Sequence, residues 1–235
     1  MRTALASLAL VAFMAPVARA QMDPHQQHRM MAPVPAAGTS QSGLPMDHSA
    51  HNHDVGPAGS TYDLRFIDGM VKHHEGALLM SEFVFNIGSP GVGELAHQIW
   101  DDQAQEIKAM GQWRMAWYPE APIYPVAYLP GGDPNSMSGL TRMSAKQIAA
   151  MQMINSTPTK KTRVTWFLEG MLHHHGAALM MAHDALGKST NTTILRLSQD
   201  IVSAQSGEIR RIRSMLQQDG LDKPEYYSYD YLFSP

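Results

Sequence analysis

Two stretches of the chain carry adjacent histidines one helical turn from a methionine, and they are near copies of each other. In FIDGMVKHHEGALLM, residues 66–80, Met70 precedes His73 and His74 by three and four positions and Met80 follows His73 by seven. In FLEGMLHHHGAALMM, residues 167–181, Met171, His174, His175 and Met181 occupy the same places at an offset of 101. On a helical wheel Phe66, Met70, His73, Ala77 and Val84 share one stripe, with His74 at its edge. Phe167, Met171, His174 and Ala178 share the equivalent stripe, with His175 at its edge. These histidines therefore face inward or nearly so. A buried imidazole needs a partner for each ring nitrogen, and a metal with an outer acceptor supplies both. The bland alternative is a pair of satisfied core histidines.

A second repeat supplies candidate acceptors. IWDDQAQEIKAMGQW, residues 99–113, matches IVSAQSGEIRRIRSM, residues 201–215, at an offset of 102. Ile99, Gln103, Glu106, Met110 and Trp113 share a stripe, as do Ile201, Gln205, Glu208, Ile212 and Met215. A glutamate within an apolar stripe is costly unless paired, and the neighbouring His pair is the natural partner for Glu106 and for Glu208. The alternative is an exposed acid at the stripe's edge. Thioether with imidazole is a soft to borderline donor set that suits Cu(I), and imidazole alone also suits Cu(II) or Zn(II). Calcium and magnesium prefer oxygen. The chain has 18 Met, 12 His and no Cys, which excludes thiolate sites, thiol catalysis and disulfides.

Two further groups of donors lie outside these stripes. The segment 21–60 is rich in Pro, Gly, Ser and Gln and shows no helical or strand period, so it reads as a disordered tail. It holds His25, His28, His48, His51 and His53 with Met22, Met30, Met31 and Met46. Solvated imidazoles of this kind favour Cu(II) or Zn(II). In the second copy Glu169, His173, Met180 and His183 fall opposite the inner stripe, where the first copy has Asp68, Lys72, Leu79 and Glu82. They are expected to form an additional, outward-facing and weaker copper site, or else a solvated polar face. Met143, Met151 and Met153 read more simply as core filling.

Other chemistries fail on the residues. His74-Glu75 opens an H-E-x-x-H pattern that Leu78 breaks. Glu94-x-x-His97 is half of a di-iron motif, but its counterparts are Arg196 and Gln199. No nucleophile elbow or phosphate-binding glycine loop is present in the sequence. A formal net charge of −3 with 17% charged residues gives no basic field for nucleic acid.

The elements that must position these donors follow from the repeats. Residues 1–20, with Arg2, an apolar run from Ala4 to Val17 and Ala18-Arg19-Ala20, read as a secretory signal cleaved near Ala20. No later run is long enough to span a membrane. After the tail come a first helical repeat over 61–118, a linker over 119–160 and a second repeat with a Tyr-rich end over 161–235. The linker opens on a Pro/Gly stretch and then offers a short helix, capped by Ser144 with Gln147 three residues on. One helix–loop–helix unit cannot bury its apolar faces alone, whereas two make a four-helix bundle. The expected fold is all-α.

The F-x-x-x-M-x-x-H-H-x-x-A-x-x-M helix followed by Q-x-x-E-I, present twice, resembles domain-of-unknown-function family 305 over roughly 61–118 and 140–216. The resemblance implies a ferritin-like helical fold and copper binding in the periplasm, as in proteins of the CopM type, without established catalysis. It implies ligands only at Met70, His73, His74, Met80, Met171, His174, His175 and Met181. The expectation is thus an exported, non-enzymatic protein for copper tolerance, sequestration or delivery, with Cu(I) in the bundle, Cu(II) in the tail and zinc possible. A copper exporter or chaperone would be its protein partner. The alternatives are a bundle oxidase acting on Cu(I) or Fe(II), and a helical interaction module that binds zinc or nickel incidentally.

Overall fold

A computed structural model of the protein describes residues 53–88 and 90–235. The signal segment, His25, His28, His48 and His51 lie outside the described residues. The chain is mostly helical. The first repeat folds into α1 (Tyr62–Glu82) and α2 (Val92–Trp117). The linker forms a two-stranded antiparallel ribbon, β1 (Val126–Tyr128) with β2 (Leu140–Arg142), then the short helix α3 (Ala145–Gln152). The second repeat gives α4 (Arg163–Lys188) and α5 (Thr192–Gln218), followed by two 3-10 turns at Pro224–Tyr227 and Asp230–Leu232. Among the described residues no helix is long and apolar enough to cross a membrane.

Local chemistry sets the ends. Ser144 and Gln147 make the expected capping box of α3. Asn191 caps α5 by accepting from the Thr193 N–H. The ribbon was not foreseen, since three-residue strands leave too little pattern to read. Each repeat packs as a helical hairpin, and the inner stripes of all four long helices enter one apolar core. Helices α1 and α4 run antiparallel. Tyr62 at the start of α1 donates to Asp184 near the end of α4 (2.8 Å), and Arg163 at the start of α4 donates to the Phe83 carbonyl just past α1 (3.0 Å).

Three expectations are corrected. Residues 53–60 do not belong to a solvated tail, and His53 is 7% exposed rather than open to water. The cause is Arg65, itself buried, whose guanidinium donates to the Val55 and Pro57 carbonyls and so straps the segment to α1. Asp68, read as outward, is buried. It accepts from Arg114 Nε (2.6 Å) and the Val126 N–H (2.7 Å), which ties α1 to α2 and the ribbon.

The third correction concerns the outer face of α4. The Tyr-rich end folds back over it, so His173 is buried, with its ring against those of Tyr226 and Tyr229. His183 Nε2 donates to the Leu232 carbonyl (2.9 Å), and Glu169 accepts from Lys223 (2.6 Å) and Tyr226. Met180 alone of that group stays open, at 38%. The face that carries Glu169, His173, Met180 and His183 is therefore covered rather than outward-facing, with Met180 alone exposed.

Close backbone approach makes this cover possible. A Cβ on Gly176 would stand 2.4 Å from the Tyr229 ring. Gly176→Ala gains about 1 kcal/mol of helix propensity but overpacks a rigid ring, which costs about 1–3 kcal/mol, so the variant is expected to be less stable. Gly207, on an open face of α5 with nothing near its Cβ position, is the control. Gly207→Ala should raise stability by up to about 1 kcal/mol, and urea unfolding of both variants checks the pair.

Candidate metal centre

The two His-bearing helices cross where their histidines lie. His73 and His174, equivalent positions of the two repeats, place their ring centroids 3.7 Å apart, tilted by 44°. His74 flanks His73 at 6.2 Å and His175 flanks His174 at 6.3 Å. All four side chains are fully buried. The sequence gives each repeat its own His pair, and the fold joins the two pairs into one cluster. His53 reaches the same cluster from outside the helices, its ring edge-on to His73 at 5.4 Å.

The outer ends of the cluster meet the glutamates read from the second repeat. His74 Nε2 lies 2.6 Å from Glu106 Oε2 in a hydrogen bond. His175 Nε2 lies 2.7 Å from Glu208 Oε2, an ion-pair distance without hydrogen-bond alignment. In the middle, His174 Nε2 is 2.9 Å from the His73 carbonyl. A carbonyl only accepts, so Nε2 carries the proton and Nδ1 the lone pair. The carboxylate on His74 Nε2 favours the same tautomer there.

What remains is a set of buried ring nitrogens. Nδ1 of His74 and His174 and both ring nitrogens of His73 and His175 are buried and have no hydrogen-bond partner. Burial is also the main reason that His73 and His174 are held well below the ordinary imidazole pKa, with the neighbouring imidazoles as the lesser cause. Both therefore stay neutral, the form that ligates metal. Asp102 has its carboxyl pushed up by partial burial and by the charges of Glu208, Glu106 and Asp101, which places those acids near one another beside the outer ends.

The four methionines are buried as well. Met70 and Met171 are inaccessible, and Met80 and Met181 nearly so. Each of the last two reaches the opposite repeat. The Met80 sulfur lies 3.4 Å from where a Gly170 Cβ would stand, and the Met181 methyl lies 3.4 Å from the equivalent point on Gly69. Among the described residues no three of His, Asp and Glu already surround a common metal position. Thioether sulfur together with imidazole is a donor set suited to a soft cation such as Cu(I). Gln103 and Gln205, at matching places on α2 and α5, are buried as well.

Sequence reasoning missed Arg65, Asp68 and the covering tyrosines. Arg65 had a signal, a lone cation between Leu64 and the apolar Phe66 and Ile67. Tyr226 and Tyr229 had none, because their packing on α4 is non-local.

Taken together, the fold and the cluster define a helical protein built by duplication around buried imidazole and thioether donors. The chain belongs to the DUF305 family, a domain of unknown function, which it matches over residues 63–216. No curated protein matches it. Among solved structures it is similar to CopM in the Cu(I)-bound form, with 25% identity over 66% of this chain and 96% of that one and a TM-score of 0.48. It is also similar to CopM in the Cu(II)-bound form, with 26% identity, the same coverage and a TM-score of 0.47. A DUF305 fragment from Deinococcus radiodurans shares 22% identity over 69% of this chain and 99% of its own, with a TM-score of 0.47.

The His74–Glu106 contact can be tested without metal. Glu106→Ala leaves His74 Nε2 buried without an acceptor and should cost about 1–2 kcal/mol in urea unfolding. Glu106→Gln keeps a carbonyl acceptor and should cost less. Equal losses in the two variants would show that the carboxylate is not bonded to His74.

Proposed function

We propose that this is an exported copper-binding protein for copper tolerance, sequestration or delivery, and that it binds rather than turns over its metal. In this reading the four long helices form a ferritin-like four-helix bundle. His73, His74, His174 and His175, with Met70, Met80, Met171 and Met181, hold Cu(I) inside it. Glu106 and Glu208 act as outer acceptors that orient His74 and His175. The tail residues His25, His28, His48 and His51 form a separate solvated set that favours Cu(II) and accepts zinc, and a copper exporter or chaperone exchanges metal with the protein.

One observation carries the reading: six ring nitrogens of His73, His74, His174 and His175 are buried without a hydrogen-bond partner at the helix crossing. A buried polar group without a partner costs about 1–3 kcal/mol, a large share of the net stability of a domain, about 5–15 kcal/mol. A soft cation bound by the ring lone pairs would offset that cost. The contact between His73 and His174 also argues for one shared centre rather than one independent site per repeat.

The test is anaerobic titration with Cu(I) against a chromophoric chelator. Replacing His73 and His74 by Ala should weaken binding at the whole centre rather than delete one of two equal events. Glu106→Gln should weaken Cu(I) binding by about 10- to 100-fold. Unchanged affinity in all of these variants would make the histidines structural, and sustained oxygen uptake with Cu(I) or Fe(II) would favour an oxidase instead.

A further inference from the structure

We propose that His53 is a copper ligand, so that the segment preceding α1, and not the helices alone, closes the metal centre. The inference rests on the copper reading of the imidazole cluster. His53 lies outside the span 63–216 that matches the family.

The segment is held to both His-bearing helices. From α1, Arg65 donates to the Val55 and Pro57 carbonyls and, through Nε, to the Thr61 carbonyl (3.2 Å). From α4, Lys188 donates to the Gly56 carbonyl (3.0 Å) and pairs with Asp54 (3.3 Å). Gly56 has φ +96°, a backbone turn that favours glycine, and a Cβ there would strike Arg65 and Tyr128. Burying a guanidinium to satisfy the carbonyls of an irregular segment is costly. The result is one fixed position for the residue just upstream, His53, between α1 and the solvent.

That position fits a shared metal. Metal–nitrogen bonds of about 2.0 Å at tetrahedral angles set ring centroids about 5 Å apart. His53 and His73 stand at 5.4 Å, already close to that separation. His73 and His174, at 3.7 Å, are too close and have to spread for both to bind one ion. His73 is therefore the common member, able to bind with His53 on one side or His174 on the other. The two rings of the helix crossing alone do not provide this choice. A ligand on a segment tied by hydrogen bonds, rather than on a packed helix, can also leave the ion more readily, which suits metal that must be passed on.

The experiment uses the full chain with His25, His28, His48 and His51 replaced by Asn, which removes the other upstream imidazoles. His53→Phe keeps a ring of similar shape against His73 and removes only the nitrogens. Its Cu(I) affinity is expected to fall by about 10-fold or more, since even outer positions of metal sites cost 10- to 100-fold. In the parent chain the imidazole nitrogen resonances of His53, assigned by their loss in His53→Phe, should shift on adding Cu(I). Unchanged affinity, or a fall in affinity without that shift, overturns the proposal while leaving the helical centre intact. Failure of the parent chain to bind Cu(I) at all overturns both readings.

Discussion

The contact between His73 and His174 is the constraint around which the rest of the structure is arranged. Two imidazoles meet ring to ring at the crossing of α1 and α4, with a second imidazole behind each. Four such rings lose their hydration on folding, and the fold returns only part of it. Glu106, Glu208 and the His73 carbonyl lie against Nε2 of His74, His175 and His174, while both nitrogens of His73 and the other Nδ1 atoms have no hydrogen-bond partner. The arrangement makes sense as a structure completed by a cation, and that is the basis of the proposed copper reading.

The duplication explains how one sequence motif builds both halves of the cluster. Equivalent glycines, Gly69 and Gly170, each receive the methionine of the other repeat, Met181 and Met80. The same geometry brings Glu106 and Glu208 to the two ends of the cluster, so the acceptors as well as the donors are related by the repeat.

The repeats part company in what covers them. After the first hairpin the chain returns as ribbon and α3, and the Gln152 backbone lies against Gly76 of α1. After the second hairpin the Tyr-rich end returns over Gly176 of α4. Each hairpin is thus followed by a segment that shields its own His-bearing helix. The shields differ in chemistry: one carries Met143 and Met151, the other aromatic rings. The first repeat has an additional cover in the segment that Arg65 fixes, and this is where His53 enters the cluster.

The sequence by itself determined the helices, the duplication and the inward stripe. Helical period is local, and His73, Met70, Glu106 and their copies declare it through spacing that no later packing changes. The pairing of His74 with Glu106 and of His175 with Glu208 was legible for the same reason, since a charged residue on an apolar stripe needs a partner and few were on offer. Only the tertiary structure decided that the two His pairs touch, because that contact joins residues 101 positions apart on two helices, which no local period records. It alone decided that His173 and His183 are covered and that His53 is buried. Those outcomes come from Tyr229, Leu232 and Arg65 acting on segments that show no periodicity. A wheel records which side of a helix a residue occupies, whereas burial of that side depends on chain that returns from elsewhere.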